Sequence, residues 1–239
     1  QFNSENSLED FLNAFLRKNA FKDLVYVKDF SFYHKKEWNS VLMSKISGNF
    51  KQYKTVSGLI EFKSTQTDGT VKTVSGFRMV NPKIELEITP GAKYLYADGK
   101  RILIRSKLPR IIFDYTFSKK GFLGSDFNYH SIGLNVSQRI PNPIGWTRYT
   151  FTANKLFGEI PYPLLYIHQG NENFLLDSKR FSNMREGEYA ADQEITLLFE
   201  HHFGGFFFNK IPLVKKLQLR EIFLFKMAYS SLDKSKSSY

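Results

Sequence analysis

The chain has 239 residues and a formal net charge of +11, and hydrophobic residues make up 42% of it against 24% charged residues. This balance is typical of an ordered protein and excludes a disordered, collagen-like or coiled-coil chain. The absence of cysteine excludes disulfide bonds, thiolate zinc sites and a cysteine nucleophile. The positive charge is compatible with anionic lipid headgroups, lipopolysaccharide phosphates or nucleic acid, but no nucleic-acid-binding module is recognisable, so we expect no nucleic-acid partner.

The first predicted element is a short N-terminal helix over residues 7–18. Ser7 can cap it, and its apolar residues recur at helical spacing on one stripe, namely Leu8, Phe11, Leu12, Phe15 and Leu16. Residues 20–50 mix aromatic and lysine side chains without a clean period, which indicates irregular or edge structure. We therefore interpret residues 1–50 as a helix followed by an irregular segment.

From about Tyr53 onward the hydrophobic period changes from 3.6 to 2, which predicts strands. The clearest strands are expected at residues 110–119, 127–140, 146–154, 194–207 and 216–229. The 24 Phe and 13 Tyr support this interpretation, because aromatic side chains are enriched in sheets and at membrane interfaces. The predicted fold class is all-β and antiparallel, with residues 51–239 as one region.

The arrangement of these strands favours a transmembrane β-barrel over a soluble sandwich. Their lengths lie near the roughly 9 to 11 residues that cross a bilayer at a tilt. Short joins at 141–145 and 209–214 alternate with a long connection at 155–193, as periplasmic turns alternate with extracellular loops. About nine candidate strands and a polar tail at 230–239 indicate a partial barrel, because single-chain bacterial barrels have an even number of strands.

The alternation also predicts which side chains face lipid and which face the interior. The ring-bearing side is expected to contact acyl chains through Phe113, Tyr115, Phe117, Phe151, Phe199, Phe223 and Phe225. The opposite side is expected to line a polar interior through Arg139, Arg148, Glu200, His202, Lys216, Gln218 and Arg220. In a soluble sandwich the apolar side would form a core and the polar side would be the outside.

Two groups of polar residues could in principle carry chemistry. Glu200, His201 and His202 are ordinary metal ligands, but neighbouring residues on a strand point to opposite faces, so only Glu200 and His202 could share a site. His168 and the acidic residues of the long connection could supply acid and base groups, but no nucleophile elbow accompanies them. We expect no enzymatic activity, no metal and no cofactor.

The long connection at 155–193 is interpreted as an ordered extracellular loop that gates or docks, because loops of this length in compact domains are usually functional. The residues assigned to this docking loop are Pro161, Pro163, Gly170, Asn171, Glu188 and Asp192.

A local series of motifs runs from about residue 156 to residue 221. It includes FGEIPYPLL at 157–165, HQGNE at 168–172, EHHFGG at 200–205 and NKIPL at 209–213. These motifs resemble a family of Bacteroidota outer-membrane proteins of unknown function, which join a carboxypeptidase-regulatory-like domain to a C-terminal barrel related in architecture to the BamA-like surface antigens. The resemblance implies an outer-membrane barrel without established enzymatic activity, and it implies no catalytic residues.

The sequence therefore predicts a non-enzymatic β-barrel protein of the bacterial outer membrane, acting in envelope transport or outer-membrane assembly. We expect contacts with outer-membrane lipids or lipopolysaccharide and, because an incomplete barrel has open edges, with other outer-membrane protein subunits. Two alternatives stay open: a soluble periplasmic β-rich lipid-binding module and a metal-dependent hydrolase.

Overall fold

The structure, a computed structural model, describes residues 25–55, 62–65, 71–74, 76–98, 100–158, 164–168, 181, 184 and 189–233. The helix predicted over residues 7–18 lies outside these residues. The described residues are predominantly β-structure, dominated by one antiparallel sheet, which confirms the all-β prediction. No helix among the described residues is both long and apolar enough to cross a membrane.

The main sheet has eight strands in the order β1-β2-β5-β8-β9-β10-β13-β14. They are β1 (Val25–Glu37), β2 (Leu42–Thr55), β5 (Gly76–Ile88), β8 (Arg110–Ser118), β9 (Tyr129–Asn142), β10 (Gly145–Gly158), β13 (Gln193–His202) and β14 (Ile222–Ser231). Three two-stranded units accompany it: β3 (Phe62–Thr65) with β4 (Val71–Val74), β6 (Lys93–Ala97) with β7 (Lys100–Arg105), and β11 (Tyr166–Ile167) with β12 (Ala190–Ala191). A single-turn helix, α1 (Pro212–Lys215), precedes β14.

The strands of the main sheet follow one another in chain order, and each pairs antiparallel with the next. The connections therefore alternate between the two ends of the sheet. The end that we call the long-loop end carries connections 56–75, 119–128 and 159–192. The other end, called the turn end, carries connections 38–41, 89–109, 143–144 and 203–221.

The pairing registers keep the side-chain alternation in step across the main sheet. Phe113 on β8 lies opposite Leu134 on β9 and Leu86 on β5, whereas its neighbour Asp114 lies opposite Gly133 and Glu85. Paired residues point to the same face of a sheet, so each row belongs to one side. We call the side that contains Phe113 the apolar face and the side that contains Asp114 the polar face.

The buried core lies at the long-loop end, on the polar face. It joins polar-face residues of β2, β5, β9 and β10 to residues of two long connections, namely Tyr53, Phe77, Met79, Tyr129 and Leu156 with Phe127 and Leu165. The rings of Tyr53 and Phe77 stack with centroids 4.6 Å apart, and Phe127 meets Phe77 edge-on at 5.2 Å. The long connections thus fold back over the polar face and bury one end of it.

The segment predicted as irregular or edge structure contains two long strands instead. β1 is an edge strand, in agreement with part of that interpretation, but β2 is paired on both sides and runs to Thr55. The irregular interpretation of residues 42–50 is therefore wrong, because pairing with β1 and β5 decides the conformation there. Among the described strands, β1 and β14 each pair on one side only, which leaves the sheet with two open edges.

Candidate functional site

The apolar face exposes large hydrophobic side chains across the main sheet. Phe30 and Phe32 on β1 are 69% and 64% exposed, and Phe223 and Phe225 on β14 are 52% and 47% exposed. Between these edges, the exposed large side chains of the same face include Ile46, Ile84, Leu86, Ile88, Phe113, Ile132, Ile140 and Ile195. Monomeric soluble proteins rarely expose a contiguous apolar surface of this extent, so the apolar face is a candidate interaction surface.

All seven aromatic residues predicted to face lipid lie on this face. Phe199 lies opposite Phe225 and meets Phe223 at 6.3 Å, and Phe151 lies opposite Leu197 on β13. The other members, Phe113, Tyr115 and Phe117, alternate along β8. The contribution of Phe30 and Phe32 was not predicted from the sequence, although both residues alternate with polar neighbours.

The polar face carries paired charges and hydrogen-bonded polar side chains. Lys83 lies 3.4 Å from the carboxylate of Asp114, on the neighbouring strand. Arg110 donates two hydrogen bonds to the Glu87 carboxylate, at 2.9 and 2.7 Å, in the fork geometry that suits a guanidinium. Cross-strand pairs of opposite charge stabilise a sheet, so these contacts favour a defined polar surface.

A compact group at the turn end of the polar face contains Arg139, Trp146, Arg148, Glu200 and His202. The His202 ring stacks on the indole of Trp146 with centroids 3.7 Å apart. The guanidinium of Arg139 lies 4.0 Å from the centre of the same indole, and that of Arg148 lies 5.2 Å from it. Glu200 contacts His202 through a hydrogen bond and lies 3.8 Å from Arg148. We call this group the arginine–tryptophan cluster.

Glu200 and His202 share the polar face, as the alternation predicts, and His201 lies on the apolar face. His201 is buried, and its Nδ1 lies 2.8 Å from the hydroxyl of Thr147. Within the part of the chain that the structure describes, no group of three or more His, Cys, Asp or Glu side chains is placed to hold a metal ion. The geometry gives the EHH motif two separate environments rather than one joint site.

The connection between β10 and β13 docks on the polar face at the long-loop end. Leu165 is buried in the core, and the Tyr166 hydroxyl lies 2.9 Å from that of Ser131 on β9. His168, 5% exposed, lies with its Nδ1 3.6 Å from the Glu194 carboxylate, which accepts a hydrogen bond from Asn154. Burial raises the pKa of the Tyr166 hydroxyl to about 12. We call the described segment 164–168 the latch.

Comparison with known protein families assigns nearly the whole chain to one domain family. The sequence model described as the C-terminal domain of a family of unknown function (DUF5686) matches residues 1–237. The chain belongs to this family. A search of curated proteins gives no match.

In this DUF5686 domain the polar residues predicted for the interior fall into two sets. Arg139, Arg148, Glu200 and His202 come together in the arginine–tryptophan cluster. Trp146, whose indole contacts His202, Arg139 and Arg148, was not predicted as a member of the site, because a lone tryptophan gives no periodic signal.

The second set was assigned to a strand over residues 216–229 that does not exist in that form. Lys216, Gln218 and Arg220 lie in the connection before β14, which begins at Ile222. Gln218 has a positive φ of 50°, and Arg220 donates a hydrogen bond to the carbonyl of Gly204. The assignment of these three residues to a strand is therefore wrong. The expected short join at 209–214 is also wrong, because the connection between β13 and β14 spans 203–221.

Of the six residues predicted to form the docking loop of this DUF5686 domain, one lies within the described residues. Pro161, Pro163, Gly170, Asn171 and Glu188 lie outside the described residues. Asp192 is buried, and its backbone joins β10 to β14, since its carbonyl accepts from Leu156 at 2.7 Å and its N–H donates to Ser231 at 3.1 Å. Tyr166 and Ser131, which hold the latch, carry no local signal that would have predicted their contact.

Proposed function

We propose that this domain is the membrane-embedded β-sheet of a bacterial outer-membrane barrel protein, with a non-enzymatic role in envelope transport or outer-membrane assembly. The observation that carries the proposal is the exposed apolar face, which extends across all eight strands of the main sheet. Burying a large apolar side chain contributes about 1.5–3 kcal/mol, so an acyl-chain environment would stabilise this face strongly. In water the same face would promote aggregation.

The opposite face supports the same orientation. Its ion pairs and hydrogen-bonded amides suit a polar barrel interior, where water and neighbouring side chains satisfy them. The strands of the main sheet contain 9 to 14 residues, which is sufficient for a tilted strand to cross a bilayer. A soluble periplasmic lipid-binding module would need the aromatic side chains of the apolar face to be enclosed, whereas Phe113, Phe223 and Phe225 are 43%, 52% and 47% exposed.

The open edges of β1 and β14 motivate the proposed partners. Both strands are long, and neither pairing shows a register shift that would twist the edge away. Long edge strands without a bulge can pair with further strands. Besides lipid and lipopolysaccharide around the apolar face, we therefore propose contacts with strands of other outer-membrane subunits.

Charge substitution on the two faces tests the membrane proposal. We expect the wild-type protein to fractionate with membranes and to need detergent for extraction. We expect Phe117→Lys and Phe225→Lys to impair insertion, because a lysine at the lipid face costs about 2–4 kcal/mol near the bilayer midplane. Ala228→Lys is the matched control, because Ala228 lies on the polar face of β14.

A monodisperse, water-soluble product from the two phenylalanine variants would contradict the membrane proposal and favour the soluble lipid-binding module. Equal impairment by Ala228→Lys would also contradict it, because the two faces would then not differ in environment.

A further inference from the structure

The arginine–tryptophan cluster has an unbalanced charge. Arg139 and Arg148 lie directly opposite each other on β9 and β10. Like charges in directly opposed positions destabilise a sheet unless something compensates them. Glu200 is the one carboxylate in the cluster, and it is engaged by His202 and lies 3.8 Å from Arg148. Two guanidinium groups against one carboxylate leave a positive charge in the cluster.

Several other cations of the polar face are paired with carboxylates. Lys51 lies 3.3 Å from Asp29, Lys83 lies 3.4 Å from Asp114, and Arg110 is bonded through two nitrogens to Glu87. Arg139, in contrast, has no carboxylate within ion-pair distance among the described residues. The arginine–tryptophan cluster therefore carries uncompensated positive charge near the turn end.

Stacking leaves the donors of Arg139 available. His202 and Arg139 lie within about 4 Å of the same indole centre and must occupy opposite faces of it, since both cannot fit on one face. A guanidinium stacked on a ring contacts the ring through its flat face, and its N–H groups point outward in its own plane. Within the described part of the chain those N–H groups donate no hydrogen bond to protein, and the side chain is exposed.

We propose that Arg139 and Arg148 form a binding site for a phosphate group, with Trp146 as the platform that orients Arg139. Two opposed guanidinium groups can donate to separate oxygens of one phosphate, and the anion would remove the repulsion between them. Glu200, on β13, contacts both Arg148 on β10 and His202 on its own strand. Inorganic phosphate and the headgroup of an anionic lipid offer the same chemistry.

Trp146 supplies the readout. The chain has 2 Trp, so a Trp38→Phe background makes Trp146 the sole indole emitter. We expect inorganic phosphate, added to the detergent-solubilised chain at constant ionic strength, to change its fluorescence saturably. In Arg139→Gln the affinity should fall at least about tenfold, the factor that corresponds to one lost charged hydrogen bond. Lys51→Gln, which removes a paired cation from the same face, should leave the affinity unchanged.

A second arm separates the two sources of phosphate. The same protein is placed in nanodiscs of phosphatidylcholine with or without phosphatidylglycerol. A change confined to phosphatidylglycerol discs and lost in Arg139→Gln supports a lipid headgroup as ligand, and saturation by free phosphate supports a soluble one. Should Arg139→Gln fail to fold, Arg148→Gln and Arg139→Lys replace it, and both are expected to bind more weakly. Absence of any saturable change in either arm, or equal changes in the variants and the parent, would overturn the proposal.

Discussion

The hydroxyl of Tyr166 lies 2.9 Å from the hydroxyl of Ser131 and fastens the latch to the polar face of β9. The neighbouring Leu165 is buried in the core, and β11 pairs with β12 directly before Asp192. The contact therefore joins the connection between β10 and β13 to a strand that precedes it by many residues.

Removal of the Tyr166 hydroxyl is expected to loosen the latch. Tyr166→Phe keeps the ring and loses one hydrogen bond, which should destabilise docking by about 1 kcal/mol. Limited proteolysis within connection 159–192 should then be faster by several-fold. Tyr189→Phe is the control, because Tyr189 is exposed in the same connection. Equal acceleration in both variants would show that the Ser131 contact does not hold the latch.

Docking of the latch should weaken in strong alkali. The pKa of Tyr166 is raised by burial from 10.0 to about 12, so the neutral hydroxyl is the form that the docked state favours. The undocked residue loses its proton first, hence the contribution to docking is fully present below about pH 10 and decreases between about pH 10 and 12. Proteolysis rates at pH 9 and 11.5 measure this. The increase should be smaller in Tyr166→Phe, and an identical increase would contradict the assignment.

Truncation of a core aromatic residue should distinguish the two faces. Phe77 is 3% exposed and contacts Tyr53 and Phe127, so Phe77→Ala should lower the free energy of unfolding by about 3–5 kcal/mol. Phe113 is 43% exposed on the apolar face, and Phe113→Ala should have a much smaller effect in an unfolding experiment in detergent. Denaturant unfolding followed by circular dichroism gives both values. A larger loss of unfolding free energy in Phe113→Ala than in Phe77→Ala would contradict a stabilising core on the polar face.

Glu221 is expected to hold the β13–β14 connection in a charge-dependent way. Its carboxylate accepts backbone N–H bonds from Gly205 at 2.8 Å, Phe207 at 3.0 Å and Phe208. Partial loss of hydration would raise the pKa of Glu221, but these N–H donors together lower it below 4.5. The contribution of the carboxylate is therefore present above pH 4.5 and is lost as the pH falls through the lowered pKa.

Amide chemical shifts measure this titration. The Gly205 and Phe207 amides should titrate with a midpoint below 4.5, and Glu221→Gln should abolish the transition. A midpoint above 4.5 would show that the N–H groups of Gly205, Phe207 and Phe208 do not stabilise the Glu221 carboxylate.

A side chain at Gly145 should disrupt the tight turn between β9 and β10. An added Cβ would lie 1.8 Å from the carbonyl oxygen of His202, and the residue has a φ of +130°. Gly145→Ala should cost at least about 2–3 kcal/mol, because strained backbone and a backbone clash combine. Gly121 also has a positive φ but has nothing within 4 Å, so Gly121→Ala should cost only about 1 kcal/mol. Thermal unfolding of both variants tests the difference, and equal shifts would refute the clash.

The strands with the strongest alternation were predicted nearly in full. β8, β9 and β10 end within a few residues of the expected limits, because apolar and polar side chains alternate along most of each strand. β1 was predicted only as irregular or edge structure, since Lys28 and Lys36 interrupt its apolar face. β14 was extended too far toward its N-terminus, because Leu217 and Leu219 imitate the alternation. Backbone hydrogen bonds from Leu217 to Val214 and from Gln218 to Lys215 hold that segment as a turn.

The sequence by itself determined the β-structure, the antiparallel order and the division of side chains between two faces. Those properties follow from period-2 alternation and short-range turns, which act over a few neighbouring residues. The tertiary structure alone decided that Tyr166 meets Ser131, that Trp146 gathers two arginines and that the core lies at one end of the polar face. The core and the contact of Tyr166 with Ser131 join residues far apart in the chain. Trp146 meets Arg139 and His202 only once β10 pairs with β9 and β13, and no local pattern encodes these pairings.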